Sequence, residues 1–348
     1  MDIERMMTMS TLLATLNQTI QTAQFSGAVL IRQHEETRYE QAYGFANRSE
    51  EMPNHPHTRF AMASGSKLFT AVAVCQLVER GHITYNTRLQ EWLELPEIEG
   101  FGDVTVHHLL THTSGVADYF DEEVMDDFEQ LWLTTPMYHV REPEDVLALF
   151  QDQPMKFKPG ERFSYSNSGY VLLGLLIERV TGESFRTYIE KHIFQACGME
   201  STGYYRMDRL PKQTALGYID EEGGQWRTNI YSVPLIGQPD GGAYTTLYDL
   251  DLFWQHFLKG KLVSEETAAL MLTPQVEPDD DDSYGYGIWI DIRDNEIFRH
   301  YIMGCDPGVS LISFIYAGTG IRSHVLSNQT EGAFLLAQEL DNIAVSGV

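Results

Sequence analysis

Apolar residues recur at different periods along the chain, and the changes of period predict its organisation. Residues 8–23 have helical spacing. The runs 25–32 and 37–46 are strand-like and are separated by four polar residues, which predicts an antiparallel hairpin. Residues 47–59 are polar and contain proline, which indicates a loop. From 64 to about 224 the signals are mostly helical.

Strand signals return after residue 224, and a closing helix is predicted over 332–344. The strand-like runs are 285–292, 297–303, 309–317 and 321–328. Because strand signals lie at both ends, we expect the ends to share one sheet. The prediction is an α+β fold with a sheet lobe from 1–63 and 225–348 and an inserted helical lobe from 64–224.

The most informative stretch for chemistry surrounds Ser64. The run 68–78 predicts a helix that ends at Gly81, so Ser64 lies at its first turn and Lys67 lies one turn later on the same face. Serine needs a nearby base to act as a nucleophile, and the positive end of a helix favours an anion on Ser64 and disfavours a cation on Lys67. Two fixed positions also arise by chance, so a pair without a chemical role is the alternative.

Tyr165 and Asn167 form a second candidate pair, in a loop rich in Ser, Asn and Gly before another helical run. Tyr165 could pass a proton if nearby cations lowered its pKa from ~10. Asn167 offers a donor and an acceptor. The alternative is a loop tyrosine whose hydroxyl bonds the backbone, with an asparagine used for turn geometry.

Composition limits the partners. The 348 residues contain 24 Lys and Arg against 50 Asp and Glu, a formal net charge of -26. Nucleic acid or an anionic membrane would be repelled by this charge, although a well-solvated surface is enough to explain it. We therefore expect a small-molecule substrate, with neither nucleic acid nor membrane as a partner and with the oligomeric state open.

Neither cysteines nor histidines predict a metal site. Cys75, Cys197 and Cys305 are too few and too scattered for a disulfide framework, and we expect buried thiols. His107, His108 and His112 include an i, i+4 pair, but no glutamate follows the first histidine and no third ligand is evident. No metal and no cofactor are predicted.

The first residues of the sequence bear on the cellular compartment of the protein. Residues 1–5 carry acids early and are not followed by a continuous apolar region, as a secretory signal would require. Apolar runs also fall short of the ~18 residues of a membrane span. We expect a cytoplasmic protein.

Together these stretches resemble the serine β-lactamase and penicillin-binding-protein superfamily, in particular its class C β-lactamase, DD-peptidase and serine esterase branch. Ser64-x-x-Lys67 and Tyr165-x-Asn167 each occur once and in the order of the family. The likeness extends over 109–115, 157–181 and much of 241–274. It implies an antiparallel sheet flanked by helices, with the site between the sheet and the helical lobe.

The resemblance also implies roles. Ser64 would attack a carbonyl and form an acyl-enzyme that water releases, with Lys67 and Tyr165 as the general acid and base. Asn167 would orient the substrate and the lysine. His112 belongs to a stretch that we interpret as structural, in a loop near the cleft.

The third family motif departs from its usual form. The family has Lys or His, any residue, then Gly, often with Pro-Gly a few residues later; Pro307-Gly308 aligns 302–304 with it. Ile302 then stands where the basic residue is expected, facing the substrate, with Gly304 on the same strand. His300 would be displaced by ~6.6 Å, and it either reaches the cleft or is an edge histidine without a role, which we favour. The implied oxyanion hole is formed by the backbone N–H groups of Ser64 and Cys305.

Three hypotheses follow. The first is a serine esterase or amidase acting on a small acyl substrate. The second is a β-lactamase or DD-peptidase, which the expected cytoplasmic location disfavours. The third is a catalytically silent relative that binds a ligand, suggested by the missing third-motif base and opposed by the intact Ser64, Lys67 and Tyr165.

Overall fold

The computed structural model describes residues 9–94, 98–278 and 282–346, which form thirteen strands and eleven α-helices. The strands are β1 Gly27–Gln33, β2 Glu36–Tyr43, β3 Phe45–Asn47, β4 Met52–Pro53, β5 Phe60–Ala61, β6 Tyr218–Asp220, β7 Trp226–Thr228, β8 Tyr244–Thr245, β9 Asp282–Tyr284, β10 Trp289–Arg293, β11 Glu296–Asp306, β12 Val309–Tyr316 and β13 Ile321–Ser327. The helices are α1 Met9–Thr22, α2 Lys67–Glu79, α3 Val106–Leu110, α4 Leu131–Thr134, α5 Pro143–Leu147, α6 Asn167–Thr181, α7 Phe185–Ile189, α8 Gln195–Cys197, α9 Leu247–Leu258, α10 Glu265–Met271 and α11 Ala337–Val345. Short 3-10 turns and one π-helical turn, Glu190–Phe194, join them.

The main sheet has seven strands in the order β2-β1-β13-β12-β11-β10-β9, and every pair within it is antiparallel. The predicted hairpin is β1 and β2. The first strand also pairs with the last, with Gly27 opposite Ser327, so both ends of the chain share the sheet as predicted. This architecture confirms the α+β class.

Both faces of the central strands are covered, and side chains that alternate along β1 enter different cores. Ala28 and Leu30 join the larger core, which includes α2, α6 and α9. Val29 and Ile31 face the opposite side, where α1 and α11 pack. The sheet is therefore a buried layer between two sets of helices, and every residue of β13 and all but one of β12 are buried.

Helix α2 is buried on all sides from Lys67 to Leu77. It lies between α6, α7 and the turn that precedes it. The nearly continuous apolar run 68–78 suits this position, because the helix runs through the interior instead of lying on the surface.

The predicted strand 285–292 begins at Trp289 instead. Residues 285–288 form a turn in which the Gly285 N–H donates to the Ile288 carbonyl. Gly287 has φ +77°, and a Cβ there would lie 2.6 Å from the Ala71 Cβ. The strand pattern failed here because the chain must turn closely over α2, which only glycine permits.

The helices α2 to α8 all lie within the predicted helical lobe, but the lobe boundaries themselves remain a prediction. Across the described ranges, no helix combines the length and the apolar character needed to cross a membrane.

Candidate active site

Ser64 lies on a 3-10 turn, Ala63–Ser66, that leads directly into α2. The turn is fixed from both sides: Met62 N–H donates to the Ala243 carbonyl at 2.8 Å, and Ser66 Oγ accepts from Ala243 N–H at 3.0 Å. Ala63 has φ +45°, a conformation that non-glycine residues rarely adopt. Such strain is retained where surrounding bonds determine the backbone, and here it sets the position of Ser64.

Lys67 Nζ donates three hydrogen bonds. The acceptors are Ser64 Oγ at 3.0 Å, Asn167 Oδ1 at 2.7 Å and the Asp240 carbonyl at 2.8 Å. The amine predicted to lie beside Ser64 is therefore in direct contact with it, and the side chain is 2% exposed.

Asn167 is the first residue of α6, and a carboxylate that the sequence analysis missed holds it there. Asp118 accepts from the backbone N–H groups of Asn167 and Ser168, each at 2.9 Å. Burial raises the pKa of Asp118 to about 6, against the lowering effect of these hydrogen bonds. Asp118 thus positions Asn167, which in turn contacts Lys67.

Tyr165 lies over the same lysine, with Lys67 Nζ 4.8 Å from its ring centroid. Burial and the negative charge of Glu122 keep the pKa of Tyr165 well above its ordinary value, although the nearby Ser64 side chain lowers it. The sequence analysis gave Tyr165 a proton-transfer role on the condition that nearby cations lowered this pKa; the surrounding carboxylates have the opposite effect. Tyr165 therefore holds its proton in the free protein.

The His112 ring packs against the Tyr165 ring. The two rings lie 4.4 Å apart, and His112 Nδ1 accepts from the Ser166 N–H at 3.0 Å. Burial, with a contribution from Lys67, keeps the pKa of His112 well below its usual range, so the ring is neutral and can accept this bond. These contacts agree with its structural interpretation.

Strand β11 passes directly beside the Ser64 turn. A Cβ on Gly304 would lie 2.2 Å from the Met62 carbonyl oxygen and 2.9 Å from Ser64 N. The pairing of β10 with β11 ends at Trp289 and Tyr301, which leaves the next residues of β11 to face the turn. Cys305, adjacent to Gly304, is exposed toward the cavity and not buried, which corrects the prediction for that thiol.

The structure corrects two predicted substrate contacts. Ile302 is 2% exposed and belongs to the larger core, packed near Gly65, because the face it shares with Gly304 is pressed against the turn. His300 Nε2 lies 2.9 Å from the Leu272 carbonyl oxygen, two residues before Ile302 on the strand. Neither side chain lines the cavity. Because β11 pairs with β10 and β12, His300 lies within the sheet and not at the edge that the sequence analysis favoured.

Ser64, Asn167 and Cys305 line a cavity of about 510 Å³. The sequence analysis missed the acidic residues of its wall, among them Asp240 and Asp306. These two directly precede the glycine pair 241–242 and the Pro307-Gly308 pair that aligned the third motif. In the part of the chain that the structure describes, no group of three His, Cys, Asp or Glu side chains is placed to hold a metal ion.

The contact between β11 and the turn gives a testable prediction. Gly304→Ala should reduce the free energy of unfolding by about 1 to 3 kcal/mol, because a methyl group has no room there. It should also slow covalent labelling of Ser64. Denaturant unfolding and labelling rates measure the two effects.

Gly169→Ala is the matched control, since no neighbouring atom would lie closer than 3.5 Å to its Cβ. If Gly304→Ala resembled this control in both measurements, the close approach of strand and turn would be wrong.

An antiparallel sheet flanked by helices, with Ser64, Lys67, Tyr165 and Asn167 gathered beside one of its strands, defines the class of serine β-lactamases and penicillin-binding proteins. The sequence model of the Beta-lactamase family matches residues 12–345. The chain belongs to this family, whose members are serine hydrolases.

Known relatives agree with this assignment. The chain is 30% identical to penicillin-binding protein 4* of Bacillus subtilis over 338 residues, which cover 92% of this chain and 72% of that protein. It is 30% identical to esterase EstB of Burkholderia gladioli over 213 residues, 60% of this chain and 54% of EstB. The crystal structure of a penicillin-binding protein from Bacillus halodurans superposes with a TM-score of 0.90 at 49% identity, covering 93% of this chain and 98% of that one.

Proposed function

We propose that this protein is a serine hydrolase that acts through an acyl-enzyme on Ser64, and that its substrates are small esters or amides. The observation that carries the proposal is the contact of Lys67 Nζ with Ser64 Oγ at 3.0 Å, beside a cavity that Ser64 lines. A serine hydroxyl becomes a useful nucleophile when such a base is in hydrogen-bond reach.

In the proposed reaction, Lys67 of the Lys67 and Tyr165 pair acts as a neutral amine. Ser64 Oγ forms a bond to the substrate carbonyl carbon while its proton passes to Lys67 Nζ, which becomes an ammonium. The Ser64 and Cys305 N–H groups would bind the developing oxyanion; the first belongs to a helical first turn, where N–H groups lack intrahelical partners. The bond to the leaving group then breaks, and the neutral Tyr165 phenol or the Lys67 ammonium supplies its proton. Water then attacks the carbonyl carbon of the acyl-enzyme in the same way, and the bond to Ser64 Oγ breaks to release the acid.

Asn167 would keep Lys67 Nζ beside Ser64 through the 2.7 Å hydrogen bond to Asn167 Oδ1, and Asp118 would hold Asn167 in place. Because Tyr165 holds its proton in the free protein, it suits the role of proton donor to the leaving group.

A β-lactamase or DD-peptidase is the second candidate, and the likeness to two penicillin-binding proteins supports it. Those activities would require the cavity to receive the carboxylate of a β-lactam or peptidoglycan stem. No cationic side chain of β11 lines the cavity to meet that carboxylate, because Ile302 stands in the position of the basic residue and is buried. This favours the esterase or amidase.

A substrate panel tests the proposal: p-nitrophenyl esters, D-amino-acid amides and nitrocefin. We expect turnover of neutral esters or amides and little or none of nitrocefin, followed by absorbance and mass spectrometry. Efficient hydrolysis of nitrocefin alone would favour the second candidate. A protein that turns over none of them, and that no fluorophosphonate labels, would be the silent relative.

A further inference from the structure

All charged side chains that line the cavity within the described residues are acidic. They are Glu122, Asp126, Asp127, Asp240 and Asp306. Lys67 lies behind this wall, and its three hydrogen bonds are already directed to Ser64, Asn167 and the Asp240 carbonyl. A cleft lined by one sign of charge concentrates ligands of the opposite sign, so this cavity favours cations.

Two of these carboxylates form no ion pair among the described residues. Asp240 is 5% exposed, and its Oδ2 accepts from the Tyr119 hydroxyl at 2.5 Å. Asp306 ends β11 and is partly exposed to the cavity, and its carboxylate has neither a hydrogen bond nor a salt bridge in the same described ranges. A buried carboxylate that is not directly paired is costly, and a bound cation would lower that cost for Asp240.

The two carboxylates also interact electrostatically. Burial raises the pKa of Asp306 to about 7, the charges of Asp240 and Glu122 add to the rise, and Lys67 opposes it. Burial likewise raises the pKa of Asp240. Like charges that are held together in this way are typical of sites completed by a ligand of opposite charge.

We propose that this cavity binds an ammonium group, and that the substrates are esters or amides carrying a free amine close to the scissile bond. Asp306 directly follows Cys305, whose N–H would bind the oxygen of the reacting carbonyl. The carboxylate therefore belongs to the residue next to this proposed oxyanion donor. Phe120, Met125 and Phe128 supply an apolar wall for the remainder of the molecule. The inference rests on the proposed hydrolase function and names its substrate class.

Three methyl esters with the same carbon skeleton test it: phenylalanine methyl ester in both enantiomers, 3-phenylpropionic acid methyl ester, and benzylmalonic acid monomethyl ester. They carry an amine, a hydrogen or a carboxylate at the same carbon. For at least one enantiomer, kcat/KM should exceed that of the neutral ester by roughly tenfold or more, the value of a hydrogen bond to a charged group. The carboxylate should react more slowly than the neutral ester.

A second series places the amine in the alcohol part, as 2-aminoethyl against propyl esters of 3-phenylpropionic acid. A preference for the amine in either series supports the proposal and tells on which side of the scissile bond the ammonium lies. Equal or lower values for the amine in both series would overturn it.

Variants test whether the preference for the amine depends on the acidic side chains that line the cavity. Asp306→Asn should reduce the amine-to-neutral ratio of kcat/KM by about tenfold, and Asp240→Asn is a second variant in case the first folds poorly. Asp152→Asn is the matched control, because this exposed aspartate lies outside the cavity lining. A ratio that neither cavity variant changes would contradict the proposal.

Binding to Ser64→Ala separates this inference from the proposed function. Calorimetry should show tighter binding of phenylalanine methyl ester than of the neutral ester, without turnover. If binding shows the preference but the wild type hydrolyses nothing, the ammonium site stands and the hydrolase fails. If a fluorophosphonate labels Ser64 and neutral esters react without any amine preference, the hydrolase stands and the ammonium site fails.

Discussion

Ser64→Ala should lose covalent labelling by a fluorophosphonate altogether and should lower ester turnover by at least ~10³-fold. The reason is that the substitution removes the only atom of the residue that can form the acyl bond. The remaining backbone, including the N–H of residue 64, stays in place because the turn is fixed by Met62, Ser66 and Ala243. Substrate binding should therefore persist while chemistry stops.

Intact-mass spectrometry of the labelled protein measures this directly, and one adduct per chain is expected for the wild type. Ser184→Ala is the matched control, since Ser184 is exposed and caps α7 away from the cavity. An adduct of unchanged mass on Ser64→Ala, or ester turnover at the wild-type rate, would show that another residue is the nucleophile.

Lys67→Ala and Tyr165→Phe should each reduce kcat by ~10²- to 10⁴-fold, with a much smaller effect on KM. Lys67 Nζ lies 3.0 Å from Ser64 Oγ and 4.8 Å from the centroid of the Tyr165 ring, so we expect the pair to handle the Ser64 proton together. Groups that titrate together act as one unit. The double variant should then be hardly worse than the worse single variant.

Steady-state kinetics of the four proteins on one neutral ester provide the double-mutant cycle. Lys261→Ala with Tyr138→Phe repeats the same chemical changes at exposed positions as a control. Losses that multiply in the catalytic double variant would mean that the lysine and the tyrosine work in separate steps.

Local patterns predicted the site more completely than its surroundings. Ser64 and Lys67 are three residues apart on a helix start, so their contact depends on helix geometry alone. The hairpin of β1 and β2 is local in the same sense. Tyr165 and Asn167 were found because their motif occurs once, although their contact with Lys67 spans about 100 residues.

Other features could not be predicted because they depend on orientation and on distant packing. Period-two alternation shows that Ile302 and Gly304 share a face of β11, but not that this face is pressed against the Ser64 turn. Asp240 reaches the site because Thr70 Oγ, 169 residues away, donates to the adjacent Pro239 carbonyl at 2.5 Å. No local signal marks such a contact.

The pairing of the first strand with the last has a consequence for synthesis of the chain. Ser26 and Ser327, which meet at the end of β1 and β13, are 301 residues apart in sequence. At the usual elongation rate of ~5 to 20 residues per second, roughly 15 to 60 s separate the emergence of β1 from that of its partner. During that interval the N-terminal hairpin presents an apolar, unpaired edge on the ribosome-bound chain. The sheet beside which Ser64 lies is thus completed only after the 301 residues that follow Ser26 have been made.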